Sequence, residues 1–237
     1  MIRSKVDTFQ RAVWECLIIA VGVLVALAAN NWNQARQERI RELEFLSGIA
    51  LDLEFNIEEI NSVERLGAIN KAALLEIIES VRSGVPGSKS AEQFVENLIR
   101  STYLNLPFIS SITFDELRSS GSMSLVGNES FRRELADYYR DFDADAQFHE
   151  EYRRKEAAAE EALLGFLPLQ ERMEYSDSGT VARTDIDPAT VIKALQARPD
   201  LVARLEDMVW VQNRMMTRYG WLVSRSQKLV DDIGAMR

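Results

Sequence analysis

The only histidine of the chain, His149, lies in the stretch DFDADAQFHEE, where Asp141, Asp145 and His149 recur at intervals of four. On a helix that interval stacks all three side chains on one face. Two carboxylates and an imidazole on one face could hold a divalent metal, but known metal patterns fail here. In an EF-hand loop beginning at Asp141, the glycine position is filled by Ala146 and the glutamate position by Tyr152. A zinc-protease H-E-x-x-H fails because Tyr152 and Arg153 follow His149-Glu150. The Glu-x-x-His pair of di-iron bundles fails because Ala146 stands three residues before His149. The face reads as solvated acidic helix, and no pattern requires a metal or a cofactor.

Other chemistry is equally sparse. The one cysteine, Cys16, lies in an apolar run, so a disulfide framework and a cysteine-rich zinc site are excluded. One histidine leaves few nucleophile–base pairs. There is no G-x-S-x-G, no phosphate-binding Walker loop and no G-x-G-x-x-G. No positive sign of an enzyme remains. The net charge is −9, and residues 1–15 sum to +1, so the body is more acidic still. An acidic body repels phosphate backbones, which argues against nucleic-acid binding.

The elements that would position any site are helices. Glycine (11) and proline (5) are scarce for 237 residues, and the apolar residues recur with helical period throughout. Ile40, Leu43, Leu46, Ala50, Leu53, Ile57 and Ile60 form one stripe, resumed at Leu74, Ile77 and Val81. With no proline before Val85, one helix is expected from near the N-terminus to about residue 82, with Gly67 as a point of bending. Ser90 with Gln93 forms a capping box for a short helix carrying Phe94, Val95, Leu98 and Ile99. A second box, Thr113 to Glu116, opens a helix of about two turns that stops at Ser120-Gly121, with Gly121 as a left-handed cap. Asn128 caps a long helix with Phe131, Leu135, Tyr138, Tyr139, Phe142 and Ala146 inward, ending near Pro168. The stretch YSDSGTVARTDID reads as loop. Asp187-Pro188 starts a short helix, and a last helix with Leu201, Leu205, Met208, Met215, Tyr219, Leu222, Leu229 and Ile233 inward reaches almost to the C-terminus. Trp210 and Trp221 read as core with the tyrosines. The expected fold is all-α: an N-terminal transmembrane helix continuing into an elongated antiparallel helical bundle.

The expected anchor is the run CLIIAVGVLVALAA, residues 16–29. Alone it is short for a bilayer, which needs about 20 residues. Trp14 and Trp32 bracket it, eighteen residues apart, or about 27 Å along a helix, which suits the two interfacial aromatic belts. The division is then 1–13 tail, 14–32 transmembrane helix and 33–237 helical bundle domain. A cleaved signal peptide, with Ala26-Leu27-Ala28 as cleavage pattern, and a buried core helix are the rival readings. Against cleavage, helix-compatible sequence continues past the run. Arg3, Lys5 and Arg11 on one flank nearly balance Arg36, Arg39 and Arg41 on the other. The orientation adopted is a short tail inside and the body outside. Within the run, Glu15, Ile19, Gly22, Ala26, Ala29 and Asn33 share a stripe with small residues at its centre and polar residues at its ends. Small residues allow close helix approach in lipid.

Two stretches resemble a known family. WECLIIAVGVLVALAANNWNQARQE looks like the opening of a bacterial family of uncharacterised membrane proteins, whose span reads G-E-[apolar]-G-[apolar]-A-L-x-x-N-N-W-N. Glu15, Gly22, Ala26, Leu27, Asn30, Asn31, Trp32 and Asn33 match, and Trp14 replaces the glycine before the glutamate. TFDELRSSGSMSLVGNESFRRELADYY is similar to that family's central segment, with Ser120-Gly121 as its turn and Tyr139 near its end. The resemblance implies a mostly helical protein of the bacterial inner (cytoplasmic) membrane and no activity, since the family is a domain of unknown function. The expected partners are the lipid bilayer and a second copy of the chain or another membrane protein. The expected function is a membrane-anchored interaction protein. Alternatives are a sensory module with a small-molecule site between helices, an oligomeric pore ringed by Glu15 and Asn33, and a tethered hydrolase.

Overall fold

The structure, a computed structural model, describes the backbone of residues 3–237, and their side chains except those of 3–13, 15, 16, 18, 145–147 and 164. Among the described residues the elements are α1 (Arg3–Ser83), α2 (Ala91–Arg100), α3 (Ile112–Ser119), α4 (Glu129–Leu163), α5 (Leu169–Ser178), α6 (Pro188–Gln196) and α7 (Pro199–Met236), with short 3-10 turns before α4 and after it. There is no strand among them, so the fold is all-α.

Three long helices form the body. α7 lies against α1 and runs antiparallel to it: Arg82 pairs with Glu206 at one end, and Arg39 donates to the Met236 carbonyl at the other. α4 lies on another side of α7 and is antiparallel to it, through Lys228–Glu134, Arg225–Asp141 and Lys155–Asp207. The shared core contains Leu46, Leu53, Ile60, Leu74 and Ile77 of α1, Leu135 and Tyr138 of α4, and Leu205, Val211, Leu222 and Leu229 of α7. Each contributes roughly 1.5–3 kcal/mol by leaving water. Ile40 of the expected α1 stripe is exposed because it lies below the point where the body begins.

α1 is unbroken through Gly67 and ends at Gly84, whose φ of +76° lets its N–H reach the Ser80 carbonyl. Ser90 caps α2 by accepting from Gln93 N–H, while the Gln93 side chain accepts from Lys89 N–H. Asn128 accepts from Phe131 N–H at the start of α4. Asp187 accepts from Ala189 and Thr190 at the start of α6.

The structure departs from the sequence pattern in three places. α3 begins at Ile112, so Thr113 lies inside its first turn; its N–H is satisfied by Asp52 of α1 rather than by a local cap. Residues 175–178, expected as loop, form the end of α5, which closes on Gly179 with φ +74°. Trp210 and Trp221 are not core but are 52% and 39% exposed. They leave the inward face of α7, and arginine or lysine side chains lie over their rings.

The segment between α2 and α3 is extended, and its backbone is held by side chains from distant helices. Asn56 both donates to the Ser110 carbonyl and accepts from its N–H, at 3.0 and 2.7 Å. Asp52 accepts from Ser110 Oγ, Glu156 from Leu104 N–H, and Gln212 donates to the Tyr103 carbonyl. These bonds replace those a helix would make for itself, as a buried backbone requires.

Candidate functional site

Two regions stand out, one at the N-terminal end of α1 and one between α4 and α7. In the first, every described side chain from Trp14 to Arg41 is exposed. Trp14 and Trp32 are 67% and 68% exposed, and the apolar residues between them, such as Leu24 at 64%, touch no part of the body. Ile19, Gly22, Ala26, Ala29 and Asn33 all lie on this free length. A Cβ added at Gly22 would meet nothing within 4 Å. The Glu15 side chain lies outside the described residues. Among the described residues no helix is long and apolar enough to cross a membrane. Two residues of the apolar run, Cys16 and Ile18, have side chains outside that description.

The base of this projection is tied to the body. Glu42 accepts from Gly127 N–H at 2.7 Å and from Arg39 at 2.5 Å. Burial alone would raise the Glu42 carboxyl, but these donors outweigh it and hold the group below its ordinary range. Arg237 donates to Ser47 Oγ at 2.9 Å, so the C-terminus returns to the same level. The turn before α4 also arrives here. Gly121 has φ +70°, and a Cβ there would meet nothing within 4 Å, so the position demands glycine by conformation and not by space. Ser120 precedes it as the C-cap of α3. Of the residues beyond, Val126 is fully buried and Met123 packs partly against the core.

The second region is a groove of about 700 Å³ between α4 and α7. It opens where short side chains, Ala144 and Thr217, line the space between the helices. Tyr152, Met215 and Tyr219 are buried at its floor. Phe148 and Trp221 form half-exposed walls. Arg214 lies 5.2 Å over Phe148 and 5.3 Å over Trp210, and Arg218 lies 4.1 Å over Trp221.

Asp141 and His149 both line this groove, while the Asp145 side chain lies outside the described residues. Asp141 is engaged by Arg225 at 2.7 Å. Burial raises its carboxyl, and the Arg225 hydrogen bond and charge more than reverse that, so it stays ionised below its ordinary range. No group of three metal-ligating residues occurs among the described residues. The sequence pattern therefore marked the α4 wall but missed the α7 wall. The signal for that wall was the alternation of Trp210, Arg214, Arg218, Trp221 and Arg225, cations and indoles one helical turn apart.

No known family, curated protein or solved structure matches the chain.

Proposed function

We propose that the protein is a membrane-anchored interaction protein: α1 crosses the bilayer between Trp14 and Trp32, and the helical body stands on one side of it. The observation that carries this reading is the bare length of α1. Ile19, Val21, Val23, Leu24, Val25 and Leu27 are all at least half exposed, with no body surface against them. Leaving six such side chains in water forgoes roughly 10 kcal/mol of transfer free energy. In sequence the run extends back to Cys16 without a polar residue. A bilayer covers this surface around its whole circumference, which a single docked protein does not. The tryptophan bracket supports the same reading, and the proposed address, the bacterial inner membrane, rests on the sequence resemblance of residues 14–38 alone.

Within lipid, the Gly22–Ala26–Ala29 face is the part of the span where two backbones can approach most closely. We assign it to self-association, or to the span of a partner membrane protein. Asn33 hydrogen-bonds across the contact at one end. Exchanging Gly22 and Ala26 together for leucine keeps the segment apolar and blocks the approach. With Ala29→Cys in a Cys16→Ser background, bifunctional thiol cross-linking in membranes should give a dimer that the double exchange largely abolishes. Equal dimer before and after the exchange removes this face from the contact. The tail is placed in the cytoplasm and the body outside it; a phosphatase fused after Arg237 should then be active, and an inactive fusion reverses the orientation.

A further inference from the structure

The groove between α4 and α7 has features that a membrane-anchored scaffold does not require. Its volume of about 700 Å³ falls in the range of sites for small organic ligands. Its floor is apolar and aromatic, and its walls carry ring faces. In a protein of net charge −9, the groove is lined by Arg214 and Arg218. The carboxylate of Asp141 is already matched by Arg225, which lies behind Trp221 with its guanidinium 4.8 Å from that ring. A ligand anion therefore has a cation to meet in the groove, Arg214, within a chain that is acidic overall.

Arg214 is the residue best suited to receive it. Among the described residues no carboxylate pairs with Arg214. It is held by the faces of Phe148 and Trp210. Contact with ring faces fixes a guanidinium without consuming its N–H donors, which lie in its plane and remain available to a carboxylate. A bare inorganic anion would use the cation but leave the aromatic floor wet. A neutral aromatic would use the floor and forgo the charge. A ligand with both parts uses both.

We propose that this groove binds a small aromatic carboxylate, whose flat ring lies over Tyr152, Met215 and Tyr219 between Phe148 and Trp221, and whose carboxylate is taken by the guanidinium of Arg214. This assignment does not depend on the membrane reading, because every residue it uses belongs to the body.

The test is calorimetric titration of the full chain in lipid nanodiscs with 2-naphthoate, with empty nanodiscs subtracted. The expected result is saturable binding of one molecule per chain. Arg214→Gln should weaken it about ten-fold or more, and Trp221→Leu should also weaken it. The neutral 2-naphthylmethanol and the ring-free acetate should each bind at least about ten-fold more weakly than 2-naphthoate. Both variants should keep the circular-dichroism spectrum and melting profile of the parent. Absence of saturable heat with the parent overturns the proposal. So does equal affinity in a folded Arg214→Gln variant. Binding of a glutamate-rich peptide that 2-naphthoate fails to displace also overturns it, and would give the groove to a protein partner.

Discussion

A single helix, α1, is covered by the body along one length and bare along another. Above Glu42 it contributes Leu46, Ile49, Leu53 and Ile60, all fully buried. Below Glu42 the same helix carries Leu24, Val25 and Leu27, each more than half exposed. The side chains are of the same kind, and the difference lies in their arrangement around the axis. In the body, most apolar residues of α1 gather on one stripe that other helices cover, and those off it, such as Leu51 and Leu66, are exposed singly among charged residues. In the projection the run from Cys16 to Ala29 has no polar residue, so in sequence it is apolar around its whole circumference, and no single neighbouring helix could cover it. A surface apolar on all sides calls for an apolar solvent or a ring of partners.

The largest expected effect separates the two halves directly. Leu53→Ala removes a fully buried side chain and should lower unfolding stability by about 2–5 kcal/mol. Leu24→Ala removes a comparable side chain from the projection and should leave the melting midpoint of the body unchanged. Urea titration of both variants in detergent checks this. Comparable losses at the two positions would mean that the projection packs on the body.

A smaller contrast uses two glycines at which an added Cβ finds equally open space. Gly121→Ala places a side chain at φ +70° and should cost about 1–2 kcal/mol through backbone strain alone. Gly22→Ala lies in ordinary helix and should cost the body nothing. An unchanged midpoint for Gly121→Ala would show that the turn relaxes into another conformation.

The smallest effect concerns pH. Burial raises the Glu156 carboxyl, and nearby Glu160 adds to this, while the hydrogen bond from Leu104 N–H opposes it. A carboxyl whose folded pKa lies above its unfolded value stabilises the fold at low pH and loses that contribution as pH rises through the folded pKa. Glu156→Gln keeps an acceptor for Leu104 and removes the charge. It should raise stability at neutral pH by under about 1 kcal/mol and change little near about pH 4. A gain at low pH and none at neutral pH would reverse the assigned sign.

How much of this was legible in the sequence depended on whether the determinant was local. α2, α4 and α6 were readable because Ser90, Asn128 and Asp187 cap their own helices within three residues. The α7 stripe was readable because its apolar residues recur with helical period. The start of α3 was misplaced because its capping acceptor, Asp52, comes from α1. α5 was hidden because it is short and polar; its one buried residue is Glu171, which accepts from Thr184. The extended segment before α3 depends on Asn56, Glu156 and Gln212, each far away in the chain. The groove was half legible: Asp141 and His149 drew attention to α4 for a metal, whereas the aromatic and cationic wall comes from α7. Trp210 and Trp221 look like core in the sequence because indoles are usually largely buried, and cationic side chains over their rings do not register as apolar periodicity.

The central proposal is that the bare length of α1 resides in a bilayer. Membranes containing the full chain, washed with alkaline carbonate and high salt, followed by intact-mass measurement of the pelleted protein, test this most directly. The account predicts that the chain stays in the pellet with residues 1–13 still attached. Recovery of the chain in the supernatant, or of a shortened chain beginning at Ala29, would contradict it.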